Sequence, residues 1–335
     1  MTLHTAFKIK FKSPVFGQID SIKIYGAILN ALYLLDETKA EQFKQDSINK
    51  QIKISSAFPI KDNIYFFPMP ILNYEYSKKL SNKIEAEGTP NKTFNKLKKI
   101  KKIQYISKSI FEELINKNYD LEQLEEKINI IEKPKKKINL NELETEKWHL
   151  IKKYLITFDE FKEEKPIDNI PQIKPMDMPR NELNRYNLNS NIFYSPATIY
   201  KNCELYFLAK TNNEEQLQLI KFALNFLQDR GLGQDNSVGF GQFKFEKTNE
   251  FKLKEPDKTD KIKIILDENE KRKNYLHSYK SEEIKGFNKN GLHIYPMVYL
   301  KEGSCISPEV KGKILKIRDN FLINGICYPI NIHRD

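Results

Sequence analysis

Cysteine is scarce in this 335-residue chain. Cys203, Cys305 and Cys327 are far apart and odd in number, with no Cys-x-x-Cys and no Cys/His spacing. That pattern argues against a zinc site and against a disulfide framework, and each cysteine reads as a small buried hydrophobe. Nothing in the residue pattern calls for a metal or another cofactor. Long apolar runs are missing as well, so no segment reads as a membrane span. The opening Met-Thr-Leu-His has neither the basic nor the apolar region of a secretory leader, and the expectation is a soluble, cytoplasmic protein. Arginine is rare beside lysine. Its planar fork grips phosphate at two points, so its six positions carry information: Arg180, Arg185, Arg230, Arg272, Arg318 and Arg334. Glycine is sparse too, at 12 residues, which makes its distribution telling.

The excess is basic. Lysine and arginine number 56 against 45 acids, a net charge of +11. Such a balance favours an anionic partner, nucleic acid or an acidic protein face. A Lys-, Ile- and Asn-rich composition also follows from genome bias or a hot habitat, so charge alone does not choose.

Four of the glycines fall together, at Gly231, Gly233, Gly239 and Gly241. A helical pattern runs into this stretch and a strand pattern leaves it. A Rossmann loop has the opposite order, and no Gly-Lys-Ser/Thr follows, so a P-loop is excluded. Two readings remain. One is a loop of bare backbone that can approach phosphates closely. The other is a plain helix-to-strand turn with a C-cap glycine.

The surrounding pattern places that loop. Phe7, Ile9 and Phe11 alternate with Lys8, Lys10 and Lys12, which predicts a half-buried strand with a lysine face. Asp20 or Ser21 caps a helix with apolar positions Ile22, Tyr25, Leu29 and Leu32. Gly26 inside that helix costs about 1 kcal/mol relative to alanine, which a close backbone contact would explain. Short strands are expected over 52–58 and 64–67, broken by Pro59, Pro68 and Pro70. Residues 73 to about 178 are charge-dense and read as a partly helical insertion. Helical stretches are expected near 105–116 and 141–155, with proline-rich breaks at 166–179. Between Thr89 and Lys108 lie seven lysines and no acid, read as a solvated face or, alternatively, a phosphate contact. Extended pieces follow at 192–195 and 204–209. Then comes a helix with an Asn212/Glu215 capping box and a stripe of Leu217, Ile220, Leu224 and Leu227. The strand after the loop carries Phe243 and Phe245. The order is the βαββαβ of the ferredoxin-like, RRM-like fold. From residue 250 the pattern restarts on a smaller scale, with strands at 261–266, 294–300, 312–317 and 325–332 and a short helix near 280–287. The fold class is α+β: a domain over 1–249 and a degenerate ferredoxin-like copy over 250–335.

A ferredoxin-like unit whose second helix enters a Gly-x-Gly…Gly-x-Gly loop resembles the RAMP superfamily of CRISPR-associated proteins. Further blocks narrow the resemblance. They are Asp20 to Gly26 at the first helix; Ser55 to Pro59 with Tyr65 to Pro70; Lys98 to Ile106; Arg180 to Arg185 with Asn191 to Tyr194; Tyr299 to Ser304; and Gly325 to Pro329. In this order they resemble the handle-capping subunit family of the type III-A effector, Csm subunit four. Departures exist: the family's Ser-Asp-Thr is Asp-Ser-Ile here, and Gln234, Asp235, Asn236 and Ser237 fill the loop's middle.

The resemblance implies a thumb hairpin over about 179–203. It also implies a non-catalytic RNA-binding scaffold for antiviral defence. Such a subunit holds the 5′ handle of the CRISPR RNA (crRNA) and bridges the large polymerase-like subunit (Csm subunit one) to the backbone RAMP subunit (Csm subunit three). Single-stranded RNA is held by amides and basic groups on phosphate, with bases stacked on aromatics. On that basis Gly231, Gly233, Gly239 and Gly241 would let main-chain amides reach phosphates. Gln234, Asn236 and Ser237 would offer neutral hydrogen bonds, and Arg230 charge at the loop's mouth. Arg180, Arg185 and Tyr194 would belong to the thumb, and Lys23 would flank the first helix.

Some RAMP relatives cut RNA, and the equivalent subunit of a type III-B complex is a second alternative. Catalysis needs a base of suitable pKa beside the 2′-hydroxyl. His4, His149, His277, His293 and His333 all lie away from the first helix and the glycine loop. Asp20 is better used as an N-cap, and Asp229 and Asp235 as turn formers. The expectation is a protein that is not an enzyme, with no catalytic residue and no metal site.

Overall fold

Strand β1 (Leu3–Phe11) forms as its alternation predicts. Phe7 and Ile9 are buried, and the Phe7 ring stacks on Phe207 at 5.1 Å. The computed structural model describes residues 3–71, 81–82, 85–86, 92–117, 119, 121–131, 144–163, 170–183, 190–248, 251–254, 260–262, 276–278, 280–287, 293–306, 310–317 and 321–332. The chain divides into two units. The first joins Met1–Lys61 to Ile170–Glu250, and the second joins Asp62–Asn169 to Phe251–Asp335. Most of the segment that reads as an insertion therefore groups with the C-terminal residues, not with the first domain.

In the first unit β1 is followed by β2 (Val15–Phe16), α1 (Ser21–Leu35), α2 (Glu37–Ile48), β3 (Lys53–Ile54) and β4 (Phe58–Lys61). After the other unit's residues come β5 (Gln172–Leu183), β6 (Ser190–Lys201), β7 (Glu204–Thr211), α3 (Glu214–Arg230) and β8 (Phe243–Thr248). The sheet runs β8-β1-β7-β4, with β3 also beside β7, and its pairings are antiparallel. The last strand lies beside the first, and the third beside the second, which is the ferredoxin-like arrangement. Helix α1 packs on α2 and α3, and α3 lies against β7 and β8. The stripe Leu217, Ile220, Leu224 and Leu227 is buried throughout.

Asp20 caps α1 through its carboxylate, which accepts from Lys23 N–H at 2.8 Å. Tyr25 is core, its ring against Phe43 of α2 at 5.3 Å, and burial pushes its hydroxyl up to about 12. Gly26 differs from expectation: a Cβ there would meet nothing within 4 Å. The capping box of α3 is shifted by one residue. Asn213 accepts from Gln216 N–H, and Gln216 reaches back to Asn212 N–H, both at 2.9 Å.

Strands β5 and β6 form a long hairpin that begins at Gln172, earlier than the sequence suggests. Pro175 and Pro179, which read as breaks, sit on its outer strand four residues apart. That spacing puts both missing N–H groups on one side of the strand, and an outer strand is where proline is tolerated. Pro59 likewise lies inside β4.

In the second unit a mixed sheet orders the strands Ile64–Pro68, Tyr105–Ser107, Tyr154–Ile156, Trp148–Ile151 and Ile128–Ile130. The helix expected near 141–155 is a hairpin instead. Trp148–Ile151 and Tyr154–Ile156 are buried at every position, and such a continuous apolar run fits either element until its neighbours are known. Lys152 turns the chain at φ +57. Of the helix expected over 105–116, the first part is strand and only Lys108–Asn116 is helical. The short helix expected near 280–287 is also a strand, paired antiparallel with His293–Leu300. Strand Asp260–Ile262 sits in a small sheet with Leu276–Ser278, Cys305–Ile306 and Asn331–Ile332, and Ile314–Ile317 pairs with Phe321–Asn324. This C-terminal part is built onto residues 62–169. Phe251 packs on Tyr65 at 5.0 Å, and Ile71 N–H donates to Gly303 O at 2.7 Å. A Cβ on Gly303 would lie 2.6 Å from Met69 O.

Candidate nucleic-acid interface

Residues 230–241 close on themselves. Helix α3 ends at Arg230, and Gly231 turns the chain at φ +88. Gly231 N–H donates to Leu227 O at 2.7 Å and Leu232 N–H to Gly241 O at 2.8 Å. Gly241 N–H donates to Pro14 O at 2.9 Å and Gln242 N–H to Ser13 Oγ at 2.9 Å. These bonds form a neck that ties the loop to the chain between β1 and β2. The neck leaves no room for side chains: a Cβ on Gly241 would stand 2.0 Å from Leu232 O, and one on Gly231 2.6 Å from Phe240 O. Gly239 N–H donates to Asn236 O at 3.1 Å. Three of the four glycine amides thus have internal acceptors, and two of those glycines serve close backbone crossing. Among the described residues, the amides of Gly233 to Ser237 meet no internal acceptor. Gln234, Ser237 and Val238 face solvent, and the Asn236 side chain is half-buried under the loop.

Arg180 is brought to this loop by the hairpin. Its guanidinium pairs with the Asp235 carboxylate and lies 4.8 Å over the Phe16 ring. Phe16 in turn packs on Phe240 at 4.7 Å. Asp235 holds a left-handed turn at φ +60, a conformation that Asp tolerates better than most residues. Loop, hairpin and β2 are therefore joined by one ion pair, one cation–π contact and one tilted ring pair. Arg180 faces Phe193 across the ladder, and Tyr194 faces Pro179. Successive residues alternate sides, so Tyr194 lies on the opposite face of the hairpin from Arg180. Ile192, Phe193 and Tyr194 are exposed by 69%, 45% and 66%, an apolar run that folding alone does not require.

Other candidates are placed elsewhere. The Arg230 guanidinium lies 5.7 Å over Phe226 of its own helix. Lys23 donates to Gln18 O at 2.6 Å and pins the turn before α1. Arg185 lies outside the described residues. His149 is buried in the second unit, and that burial holds its imidazole below the ordinary value. Among the described residues no group of three or more His, Cys, Asp or Glu converges as a metal site, and no helix is long and apolar enough to cross a membrane. The partnership of Phe16 and Asp235 with Arg180 was not visible in the sequence. The only hint was an acid inside a loop otherwise suited to anions.

No family model matches the sequence, and no curated protein matches it. Solved structures do. The Csm4 chain of a Csm3–Csm4 subcomplex from the type III-A CRISPR-Cas interference complex aligns with a TM-score of 0.62, over 98% of this chain and 100% of that one, at 17% identity. The Csm4 chain of a Csm1–Csm4 cassette in complex with cA4 aligns with a TM-score of 0.56, over 99% and 98%, also at 17% identity.

The chain has the fold of Csm4. The likeness extends from end to end and includes both units. At this identity it speaks for the architecture, a ferredoxin-like α+β fold, and not for individual residues.

Proposed function

We propose that this chain is a non-catalytic, RNA-binding subunit of a type III-A CRISPR effector, the counterpart of Csm4. In that role it caps the 5′ handle of the crRNA. It also bridges a large Csm1-like subunit to a Csm3-like backbone subunit. The observation that carries the proposal is the full-length match to a fold solved in complex with Csm1 and with Csm3. The basic net charge supports it, as does a solvent-facing loop of amides beside Arg180 and the exposed aromatics of β6. Amides and a guanidinium suit phosphate, and exposed rings suit splayed bases. The non-catalytic part rests on the sequence, which puts no histidine in or directly after α1 and none in the glycine loop.

Co-purification tests this. Tagged protein, expressed with the other subunits of its own locus and a CRISPR array, is expected to recover crRNA carrying the 5′ handle together with both partner subunits. Recovery of neither the RNA nor the subunits would overturn the proposal. Specific cleavage of CRISPR precursor RNA by the purified chain would overturn its non-catalytic part.

A further inference from the structure

The second unit carries a lysine face that the proposed handle site does not use. Helix Lys92–Lys101 turns Leu97 and Ile100 inward, and Ile103 after it is also buried. What remains outside is basic. Lys98, Lys101 and Lys102 are exposed, and Lys96 and Lys99 half-exposed. No acid interrupts the run from 89 to 108. The tertiary structure adds to it. Gln104 and Tyr105 both donate their N–H to Lys153 O, at 3.0 and 3.1 Å, so the Lys152–Lys153 turn lies against the end of this helix. Lys152 is exposed, and the Lys153 amine sits 5.4 Å over the Tyr105 ring, which itself stacks on Tyr154 at 5.4 Å.

Lysines in a last helical turn complement the helix dipole, which accounts for Lys98, Lys99 and Lys101. It does not account for Lys102 or for Lys152, contributed by another element. Like charges at i,i+4, as at Lys98 and Lys102, are unfavourable by a few tenths of a kcal/mol. Among the described residues neither Lys102 nor Lys152 meets a carboxylate, and Lys101 has only the neutral Ser81 hydroxyl at 3.4 Å.

The chemistry of the patch selects its partner. Protein interfaces are depleted in lysine and centre on aromatic or aliphatic anchors in a desolvated core. None of the large hydrophobic residues exposed by the described chain lies in this face. Point charges on flexible stems, without apolar anchors, suit a polyphosphate backbone read for charge rather than sequence. We propose that residues 96–102 and the Lys152–Lys153 turn form a second, sequence-independent surface for the phosphodiester backbone of a single-stranded nucleic acid.

The test measures binding of fluorescein-labelled U20 and dT20 to the full chain across a salt series. The variants are Lys101→Gln/Lys102→Gln/Lys152→Gln and a control with the same charge change, Lys50→Gln/Lys61→Gln/Lys244→Gln. Loss of three phosphate contacts is expected to lower the slope of log K against log salt by about 2, at roughly 0.7 per contact for single strands, and to weaken binding about tenfold or more at low salt. The control should change the slope little. Loss of both oligonucleotides supports a general backbone surface, and loss of one alone assigns it to RNA or to DNA. Equal losses in test and control would reduce the effect to net charge and overturn the proposal. So would unchanged oligonucleotide binding, whether or not the test variant then failed to recover a protein partner. These oligonucleotides carry no handle sequence, so failure here leaves the handle-capping proposal standing. Failure of handle binding alone leaves this one standing. The substituted lysines are exposed or half-exposed, and matching melting curves for the two triple variants separate lost binding from lost folding.

Discussion

Alanine at Gly241 should damage the fold far more than alanine at Gly239, although both glycines belong to the same loop and both have positive φ. At Gly241, φ is +68 and a Cβ would lie 2.0, 2.9 and 3.0 Å from the O, C and N atoms of Leu232. All three are backbone atoms, so relief requires moving the chain. Left-handed backbone costs an L-residue about 1–2 kcal/mol. Separating the neck also weakens the Leu232-to-Gly241 and Gly241-to-Pro14 hydrogen bonds, each of which contributes about 1 kcal/mol. The expected loss is about 3–4 kcal/mol, on the order of 10 °C in melting temperature at about 2–4 °C per kcal/mol for a unit of this kind. At Gly239, φ is +93 but nothing stands within 4 Å of a Cβ, so only the backbone penalty of about 1–2 kcal/mol remains. Gly26 supplies the opposite control. It is helical, with open space around its Cβ, so alanine should stabilise by about 1 kcal/mol. Circular dichroism melts of the purified full-length variants should rank them Gly26→Ala above wild type, then Gly239→Ala, then Gly241→Ala. A Gly241→Ala protein melting with wild type, or above Gly239→Ala, would refute the close-crossing account of the neck.

Two further outcomes follow from named contacts. A double-mutant cycle on Arg180 and Asp235, using alanine at each, should give a coupling of about 1 kcal/mol, because both side chains of the pair are less than a third exposed and exposed pairs reach only about that value; additive single losses would show that the pair does not tie hairpin to loop. In the second unit burial pushes the Glu113 carboxyl up, but hydrogen bonds from Lys127, at 2.7 Å, and from Tyr119 outweigh it and leave its pKa below the ordinary value. A depressed folded pKa contributes stability above the unfolded value, about 4.3, and that stability is lost as pH falls through the folded one; Glu113→Gln should therefore flatten the acid side of the melting-temperature profile, and an unchanged acid limb would contradict it.

Local periodicity made much of the first unit legible. The alternation at Phe7 and Ile9, the Asp20 cap, the stripe from Leu217 to Leu227 and the glycine cluster between helix and strand all act over a few residues, and they led to the ferredoxin-like order. Helix α2 has a weak sequence signal because it buries only Ala40, Phe43 and Ser47 on a polar background. The segment from Trp148 to Ile156 reads as helix because an unbroken buried run has no period; the strands that bury it on either side, Tyr105–Ser107 and Ile128–Ile130, come from elsewhere in the chain. Pro175 and Pro179 read as breaks until their edge position was known.

The two candidate surfaces divide along the same line. The glycines of one and the lysine run of the other are matters of sequence. Which glycine amides are already used, that Arg180 holds Asp235 across 55 positions, and that Lys152 joins the lysines of residues 96–102 are matters of tertiary structure. The sequence by itself determined which segments could be strand, helix or close-approach turn, because those preferences arise from each residue and its near neighbours. Only the tertiary structure decided which charges meet and which amides stay open, because those depend on contacts between residues that the chain keeps far apart until it folds.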